Sequence, residues 1–531
     1  MRLEIDILIE GGKVYDGTGN PWFKADVGIV GNEVKIVGNL KGLKSNKRVN
    51  AKGLAVAPGF IDIHSHSDTP VLIDPRVESK VYQGITTEVV GNCGNSAAPM
   101  LNRVKDYREK FGRASIPDDF RFDWVTMEDY FNRVDSTGAG FNVASYVGHG
   151  TVRQNVMGHE IREPSDTELR QMKRLVDESM KQGACGISSG LIYPPSVYAK
   201  TDELIELAKV SAKYNGLYAT HIRGEDHDSL LKAVAEAIEI GDKSGAPVQI
   251  AHFKASGKEA WGMVKDSLRL VEEARARGVD VTFDQYPYIA SSTGLSATLP
   301  HWAHEGGATK MMERLRDPKT REKMAKEQRI SRDWNGIQVV YVKNNPQYNG
   351  KTIADIAKER GVSPVDASYD LLLAEETQVP TVIFGMTEED VKLVMRSHIG
   401  MVGSDGSAIS PKGILGRGKP HPRFYGTFPR VLGKYVREEK VIPLEEGVRK
   451  MTSAPAQRLG LKDRGLLKEG FKADITIFDP ETIMDNATFT EPHRFPSGIP
   501  YVICNGVFVI NKGKHTGKLP GRTLRKNIQP F

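Results

Sequence analysis

Two histidines stand two residues apart at the end of an apolar run, in the stretch GFIDIHSHSD. Side chains two residues apart on a strand point the same way, so His64 and His66 can share one metal ion. Such a pair alone is weak evidence. Four further residues of metal-binding types each end an apolar run of their own, namely Cys93, His221, His252 and Asp405. Imidazole, thiolate and carboxylate suit borderline cations such as Zn²⁺, and six donors suffice for one tight site and a weaker neighbour.

Eight apolar runs alternate with helical stretches from Gly59 onward, and the six candidate donors lie at their ends. The runs are GFIDIH, TTEVVGN, NVASYVGH, GISSG, LYATHI, PVQIAHF, VTFDQYPY and MVGSDG. Parallel strands that are buried on both faces have such continuous apolar runs, so the pattern predicts a (β/α)₈ barrel. The carboxyl ends of barrel strands meet in one bowl, where active sites lie. The barrel would therefore bring the six donors together.

The two ends of the chain have the alternating pattern of short strands. DILIEGGKVYDG, ADVGIVGNEVKIVGNL and AKGLAVAPG open the chain, and GFKADITIFDP and YVICNGVFVINKGK come near its end. We expect residues 1–56 and 455–531 to pair into one small β-sandwich domain that flanks a catalytic barrel at residues 57–454. Between about 295 and 350 a charged helix and an extra strand interrupt the alternation, which predicts an insertion after one barrel strand.

The composition is that of an ordinary globular protein with a large core. Of 531 residues, 39% are hydrophobic and 26% are charged, which excludes disordered, collagen-like and coiled-coil classes. Lys and Arg number 73 against 67 Asp and Glu, and the excess is spread along the chain, so we expect no nucleic-acid or membrane partner. Three widely spaced cysteines predict free thiols in the cytoplasm, and we expect no signal peptide.

The ordered set of His-x-His, two single histidines and a late aspartate, flanked by β segments, resembles the amidohydrolase superfamily. The phrases VAPGFIDIHSHSD, GITTEVVGNCG, GLIYPP, THIRGE, AHFK, YPY, GSDG and HPRFYGTFPRVL are similar to the D-aminoacylase (N-acyl-D-amino-acid deacylase) family. Many amidohydrolases bridge two metals with a carboxylated lysine, whereas this resemblance implies a cysteine, here Cys93. It implies a tighter metal held by Cys93, His221 and His252. The weaker metal would be held by His64 and His66, with Cys93 and Asp405 available to it.

The reaction implied by the resemblance is zinc-dependent hydrolysis of the amide bond of N-acyl-D-amino acids, which yields a carboxylate and a free D-amino acid. Amide hydrolysis needs a nucleophile, an electrophile for the carbonyl oxygen and an acid for the leaving amine. Bound Zn²⁺ lowers the pKa of a water molecule to about 7 and polarises the carbonyl, so metal-activated water is the expected nucleophile. Asp405 is the expected general base and, after proton uptake, the general acid.

A deacylase must also hold the α-carboxylate of its small-molecule substrate. Lys254 lies two residues after His252, on the same side of the strand if the strand stays extended, and Arg423 has a planar guanidinium suited to carboxylates. We expect this pair to lie apart from Asp405.

The resemblance adds three hydroxyl groups to this carboxylate clamp, those of Tyr193, Tyr286 and Ser292. Tyr288 and Ser291 are close enough in sequence to remain as alternatives for the last two. The stretch between Asp405 and Arg423, which contains SPKGILGRGK, departs from the family pattern in its length. The shape of the specificity pocket and the side-chain preference therefore stay open.

Two other functions are compatible with the barrel. A cyclic amidase of the hydantoinase or dihydropyrimidinase type resembles a lysine-bridged site, yet no lysine ends an early barrel strand as Cys93 does. A non-catalytic metal-binding barrel would not need the presumed base as well as all the ligands. Neither the oligomeric state nor the need for a second metal follows from the sequence.

Overall fold

The computed structural model of the chain describes residues 4–113, 115–327 and 333–526. Residues 1–3 and 527–531, the outer ends of the two predicted terminal segments, lie outside the described residues. The strands in chain order are β1 (Ile5–Val14), β2 (Phe23–Val30), β3 (Glu33–Gly38), β4 (Ser45–Asn50), β5 (Ala55–Pro58), β6 (Phe60–Asp62), β7 (Ile85–Val90), β8 (Asn142–Ser145), β9 (Val147–Gly148), β10 (Gly186–Gly190), β11 (Leu217–His221), β12 (Val248–Ile250), β13 (Val281–Gln285), β14 (Ala290–Gly294), β15 (Ile337–Val339), β16 (Pro380–Phe384), β17 (Gly400–Val402), β18 (Ile475–Phe478), β19 (Tyr501–Cys504), β20 (Val507–Asn511) and β21 (Lys514–His515).

Most of the helices follow barrel strands or belong to the insertion. In chain order they are α1 (Pro70–Ile73), α2 (Glu78–Val81), α3 (Asn102–Phe111), α4 (Met127–Thr137), α5 (His149–Met157), α6 (Asp166–Lys181), α7 (Thr201–Ala212), α8 (Leu230–Ser244), α9 (Val264–Ala276), α10 (Gly307–Arg316), α11 (Pro318–Lys326), α12 (Ile353–Arg360), α13 (Pro364–Ala374), α14 (Glu388–Arg396), α15 (Arg423–Arg430), α16 (Leu444–Met451) and α17 (Ser453–Leu459). A π-helical segment, Val431–Glu438, continues α15. Within the described ranges, no helix is both long and apolar enough to cross a membrane.

The eight apolar runs of the sequence form the eight parallel strands of the barrel. Parallel ladders join β6, β7 and β8 in one sheet, and β9, β10, β11, β12, β13 and β17 in another. The third barrel strand consists of β8 and β9, which are separated by one residue. After the eighth strand, Asp405 N donates to His64 O at 2.8 Å and His66 N donates to Gly406 O at 2.8 Å. These bonds link the eighth strand to the first, and the predicted (β/α)₈ fold is confirmed.

The pattern of burial explains why these segments fold as they do. Every residue of β7 and of β10 is buried, as expected for strands covered on both faces. Helix α6 buries Met172, Val176 and Met180 on the face that it turns toward the barrel, and a capping box of Ser165 and Glu168 begins it. The amphipathic helices thereby shield the strands from water.

Strands from both ends of the chain pair in one nine-stranded sheet, in the order β21, β20, β19, β18, β5, β1, β2 and β3, with β4 beside β1. The two ends meet where β18 runs antiparallel to β5. The hydrophobic core of this terminal domain includes Ile7, Ile29, Ile475 and Ile503. Strand β4 was not predicted, because its sequence, SNKRVN, exposes most of its side chains and has no apolar alternation.

The insertion lies between the seventh and eighth barrel strands and has a hydrophobic core of its own. Strands β14, β16 and β15 form its sheet, and α10 to α13 contribute buried side chains to the same core. The core runs from Leu295 to Ile383, so the unit continues past the limit near residue 350 that the sequence predicted. Helices α12 and α13 lie beyond that limit, and their buried side chains, among them Ile356 and Leu372, belong to the insertion core.

Candidate metal centre and catalytic site

Metal-ligand atoms converge in two groups at the carboxyl ends of the barrel strands. One group contains Cys93, His221 and His252, and the other contains His64, His66, Cys93 and Asp405. Within each group, one ligand atom from every residue lies within 4.8 Å of the others. Cys93 belongs to both groups, so the two sites would adjoin at its sulfur.

The first group has the donor set of a catalytic zinc site. Cys93 Sγ lies 3.9 Å from His252 Nε2, which is 2.8 Å from His221 Nδ1. Burial alone would raise the pKa of the Cys93 thiol, but the His64 charge and hydrogen bonds from His221 and His252 hold that pKa well below its usual value. A thiolate and two imidazoles at strand ends fit a borderline cation with an open coordination position.

The second group is assembled by the linkage of the eighth strand to the first. Asp405 Oδ1 lies 3.0 Å from His66 Nε2 and 3.4 Å from His64 Nε2. His64 Nε2 is also 3.4 Å from Cys93 Sγ. One carboxylate oxygen thus contacts both histidines of the His-x-His pair, which makes Asp405 available as a weak ligand beside a metal.

Two carboxylates that the sequence analysis did not single out orient the histidines from behind. Asp284 Oδ1 lies 2.9 Å from His64 Nδ1, and Glu225 Oε1 lies 3.1 Å from His252 Nδ1. A carboxylate on the far ring nitrogen fixes the tautomer and orientation of a histidine ligand. Both had a visible signal, because Asp284 interrupts the apolar run VTFDQYPY and Glu225 follows His221 in THIRGE.

Three of the candidate ligands have a left-handed backbone. The φ angles are 52° at Cys93, 38° at His252 and 49° at Asp405. Residues other than glycine rarely adopt this conformation, which costs about 1–3 kcal/mol where the surroundings enforce it. Each of them comes two or three residues after the end of a barrel strand, and the turn aims its side chain into the bowl rather than along the sheet.

A fully buried lysine lies beneath the second group. Lys80 Nζ contacts Asp62 Oδ2 at 2.9 Å, Glu88 Oε1 at 2.9 Å and Ser404 Oγ at 2.7 Å. Asp62 Oδ1 also accepts the Ser404 backbone NH at 2.8 Å. Glu88 Oε2 accepts the hydroxyl of Ser65, which lies between the two histidines, at 2.6 Å. Lys80 therefore ties the His-x-His segment to the residue that precedes Asp405.

The two cations of the predicted carboxylate clamp, Lys254 and Arg423, both lie at the site, and each has a carboxylate partner. Lys254 Nζ contacts Glu225 Oε1 at 2.5 Å and His252 Nδ1 at 2.8 Å. Arg423 Nη1 lies 2.9 Å from Asp405 Oδ2. Arg423 therefore touches the predicted base, whereas the sequence analysis expected the clamp to lie apart from it. Arg423 is the first residue of helix α15, and this position brings its guanidinium to the Asp405 carboxylate.

The predicted hydroxyl groups have different surroundings. Tyr193 OH lies 3.0 Å from Thr293 Oγ1, and its ring stands edge-on to His221. Tyr286 lies under the Arg423 guanidinium, and its buried hydroxyl has no hydrogen-bond partner among the described residues. Ser292 Oγ donates to Thr381 O at 2.8 Å in the insertion sheet.

The alternatives lie nearby but are oriented differently. Tyr288 OH reaches Pro422 O at 3.5 Å, and its ring packs on Arg430 and on His421. Ser291 and Ser292 both line the cavity that opens over the two metal-ligand groups. Geometry favours Tyr286 over Tyr288 as the partner of Arg423, and it leaves both serines within reach of the cavity.

A cavity of about 1670 Å³ opens over the two metal-ligand groups. It is lined by His66, Cys93, His221, His252 and Asp405, and also by Lys254, Arg423 and Tyr193. The insertion contributes one wall, through strands β14 and β16. Candidate metal ligands, base and clamp therefore face the same space.

A serine nucleophile is an alternative that the geometry does not favour. GISSG has the G-x-S-x-G spacing of many serine hydrolases, with Ser188 at its centre. Ser188 is fully buried, donates its hydroxyl to Gly91 O, and accepts the Gly94 NH at 3.1 Å. It supports the loop that carries Cys93 and does not face the cavity.

Comparison with known proteins decides the family. The model of the amidohydrolase family matches residues 47–510. A D-aminoacylase of Alcaligenes xylosoxydans xylosoxydans is 36% identical over 525 residues, which are 98% of each chain. The chain belongs to the amidohydrolase family. The resemblance of this amidohydrolase to the D-aminoacylases is confirmed.

Other relatives of this amidohydrolase differ in the substrate for which they are named. From the same organism, an N-acyl-D-glutamate deacylase is 36% identical, over 99% of this chain and 98% of the relative. An N-acyl-D-aspartate deacylase is 34% identical, over 98% of this chain and 95% of the relative.

Solved structures give the same result for the fold. The N-acyl-D-glutamate deacylase of Bordetella bronchiseptica, complexed with zinc and a phosphonate mimic of the tetrahedral intermediate, matches with a TM-score of 0.84 at 33% identity. That match covers 98% of this amidohydrolase and 100% of the other chain. A dihydropyrimidinase of Brevibacillus agri, at 16% identity, has a TM-score of 0.58 over 99% of each chain and shares the fold only.

The Lys80 network generates the first prediction. Lys80→Met leaves the buried carboxylates of Asp62 and Glu88 without their shared cation, so we expect a loss of about 3–5 kcal/mol in the free energy of unfolding. Adding Glu88→Gln should restore part of that loss. Denaturant unfolding of each variant is the measurement.

Lys450→Met is the matched control for this prediction. Lys450 is also buried, but it donates to the carbonyls of Ser397 and Gly400 and only approaches the partly exposed Glu446 at 3.6 Å. Its loss should cost about 1–3 kcal/mol. Equal losses in the two variants would contradict the special role of Lys80.

Proposed function

We propose that the chain hydrolyses the amide bond of N-acyl-D-amino acids and releases a carboxylate and a free D-amino acid. One observation carries this proposal. Asp405 uses one oxygen to contact His64 and His66 and the other to contact Arg423, so it stands between a metal-ligand group and a cation for the substrate carboxylate. The deacylases among the relatives support the choice of a linear amide formed by a D-amino acid.

The proposed cofactor is Zn²⁺, held most tightly by Cys93, His221 and His252. A second, weaker ion would use His64 and His66, together with Cys93 and Asp405. When bound, zinc acidifies a water molecule and polarises the scissile carbonyl. The zinc complex of the related glutamate deacylase supports this assignment.

Asp405 is the proposed proton carrier. Burial alone would raise the pKa of its carboxyl, but Arg423 and His64 hold that pKa well below its usual value. The group is therefore ionised at neutral pH and can accept a proton from the attacking water. It then delivers that proton to the departing amine nitrogen, as a general base that becomes a general acid.

Lys254 and Arg423 are proposed to bind the α-carboxylate, with Tyr193, Tyr286 and Ser292 beside them. The unpartnered hydroxyl of Tyr286, under the Arg423 guanidinium, is a hydrogen-bond donor available to a carboxylate there. A carboxylate held by these groups places the adjoining amide next to Asp405, since Arg423 and Asp405 are in contact. Binding of the substrate carboxylate by Arg423 thus positions the scissile amide beside the proposed base, Asp405.

A cyclic amidase is the less favoured function. Solved structures of hydantoinases and dihydropyrimidinases match at only 14–16% identity, which shows a shared fold alone. Among the described residues, Lys80 is the lysine beneath the metal ligands, and its nitrogen is engaged by two carboxylates and a hydroxyl rather than facing the cavity. We also place the enzyme in the cytoplasm, where its three free thiols, including Cys93, would stay reduced.

The activity itself is tested with N-acetyl-D-amino acids that have acidic, apolar and aromatic side chains. The L enantiomers and dihydrouracil are the controls. We expect release of free D-amino acid and no ring opening. Turnover of dihydrouracil without turnover of any D substrate would contradict the proposed function.

The ligand assignment predicts different effects for the three cysteines. Cys93→Ala should lose the tight zinc, because it removes the thiolate shared by both ligand groups. Cys185→Ala and Cys504→Ala should keep the zinc, because both thiols are buried in the core away from the cavity. Elemental analysis after exhaustive dialysis distinguishes these results. Similar zinc contents in all three variants would refute the assignment of Cys93.

The role of Asp405 predicts a loss of turnover without loss of the tight metal. Asp405→Asn leaves Cys93, His221 and His252 intact, but its amide cannot accept the proton from water. We expect kcat to fall by about 10²–10⁴. KM should change less than kcat. A small change in KM is expected, because Arg423 loses its carboxylate partner. The measurement is steady-state kinetics at matched zinc occupancy.

Arg423→Ala provides the comparison for Asp405→Asn. It should raise KM more than it lowers kcat, because its charge binds the substrate before the reaction. If added zinc restores Asp405→Asn to near wild-type kcat, Asp405 is a ligand only and another base must act.

A further inference from the structure

A chain of buried polar side chains links the segments that follow the third and fourth barrel strands. His149, directly after β9, is fully buried, and its two ring nitrogens contact different partners. Nδ1 lies 2.9 Å from Ser196 Oγ, and Nε2 lies 2.8 Å from Glu203 Oε1. Arg153 Nη1 contacts the other oxygen of Glu203, Oε2, at 2.5 Å. We call these four residues the His149 network.

The contacts of Glu203 decide which nitrogen of His149 has the proton. Burial alone would raise the pKa of the Glu203 carboxyl, but the hydrogen bond from His149 and the charge of Arg153 hold that pKa below its usual value. An ionised carboxylate only accepts hydrogen bonds, so His149 Nε2 donates to it. In the neutral imidazole, Nδ1 then accepts the hydroxyl hydrogen of Ser196. The direction of the hydrogen bond at Ser196 is therefore set by Glu203.

Ser196 belongs to the turn that carries Tyr193 into the cavity. The Val197 NH donates to Tyr193 O, and the Tyr193 NH donates to Gly190 O at the end of β10, both at 2.9 Å. Tyr193 and Ser196 both line the cavity, and His149 is fully buried beside them. Because the turn is one hydrogen-bonded unit, a displacement of Ser196 displaces Tyr193 as well.

Stability alone does not account for buried charge at this place. Arg153 and Glu203 are both almost completely buried, and Arg153 Nε has no hydrogen-bond partner among the described residues. Replacing a buried ion pair with apolar side chains of similar volume is often neutral or even stabilising. Such a network can instead specify one arrangement of the segments that it joins. Here those segments are α5, the first turn of α7 and the turn that carries Tyr193.

We propose that His149 is a positioning residue for the reaction, which fixes Ser196 and thereby holds the Tyr193 hydroxyl in place for the substrate. The proposal is carried by a buried histidine, glutamate and arginine that end on a cavity-lining serine, three residues after Tyr193. It rests on the proposed function, because Tyr193 is one of the groups proposed to contact the substrate. Thr293 of the insertion holds the Tyr193 hydroxyl from the other side, at 3.0 Å.

Two substitutions of His149 separate its two hydrogen bonds. A glutamine amide reaches the place of histidine Nε2, and an asparagine amide reaches that of Nδ1. His149→Gln should therefore keep the bond to Glu203 and lose the bond to Ser196, and His149→Asn should do the reverse. Ser196→Ala removes the same bond from its other end. Ser211→Ala is the matched control, because Ser211 is also buried and donates to Leu217 O at 3.0 Å, outside the cavity lining.

Hydrogen exchange, followed by mass spectrometry, tests the positioning without any assumption about the substrate. His149→Gln and Ser196→Ala should each speed the exchange of amides in residues 190–198 by about 2- to 10-fold, which is the effect of one hydrogen bond. His149→Asn and Ser211→Ala should leave the exchange of this segment close to that of the wild type. Exchange that is unchanged in both His149→Gln and Ser196→Ala would overturn the proposal.

Steady-state kinetics then test whether the positioning serves the reaction. With an N-acetyl-D-amino acid that the wild type hydrolyses, His149→Gln and Ser196→Ala should each lower kcat/KM by about tenfold, and by no more than Tyr193→Phe does. The loss should divide between kcat and KM as it does in Tyr193→Phe. In the Tyr193→Phe background, neither substitution should cost more than about twofold, because both act through the missing hydroxyl. His149→Asn and Ser211→Ala should retain most of the activity, and all variants should hold equal zinc.

The outcomes distinguish this inference from the proposed function. Losses that add fully to that of Tyr193→Phe would show a general structural role for His149 and overturn the positioning role, while the proposed function would stand. A loss of the same size in Ser211→Ala would also overturn it. So would a loss that follows the zinc content, because the effect would then arise at the metal ligands. No turnover of any D substrate by the wild type overturns the proposed function and, with it, this inference.

Discussion

The linkage of the eighth barrel strand to the first is the constraint on which the site depends. The carbonyl of His64 accepts the backbone NH of Asp405, and the carbonyl of Gly406 accepts that of His66. These two bonds join residues that are more than three hundred positions apart in sequence. They fix the carboxylate of Asp405 against both histidines of the His-x-His pair. Without this register the metal-ligand group that contains Asp405 would not form.

Buried charge reinforces the same junction from below. Lys80 joins Asp62 on the first strand, Glu88 on the second and Ser404 after the eighth. A buried ion pair is costly to form and still more costly to break by removing one partner, so such a network specifies one arrangement more than it adds stability. The left-handed backbone of Asp405 is a strained conformation that this rigid surrounding can maintain.

Local sequence patterns predicted where the candidate ligands lie better than they predicted which residues those side chains contact. Cys93, His221, His252 and Asp405 each follow an apolar run, and the geometry of a parallel barrel is enough to bring such ends together. The contact of Arg423 with Asp405 could not be foreseen in this way, because it depends on where the loop before α15 returns. The same holds for Lys80, because the sequence of its helix does not indicate that Lys80 donates a hydrogen bond to Ser404. Asp284 and Glu225 did give a sign, since an acid inside or beside an apolar run must have a partner.

Under the proposed function, the pairing of the clamp cations keeps the site ready for a carboxylate. Lys254 and Arg423 are almost completely buried, and a buried cation without a partner would carry a large desolvation cost. Glu225 and Asp405 remove that cost in the free enzyme. Under the proposed function, a substrate carboxylate must therefore share these cations with carboxylates already present. A substrate without an α-carboxylate would leave both ion pairs undisturbed and would gain nothing from the clamp. Selectivity for free amino-acid carboxylates then follows from pairing inside the site.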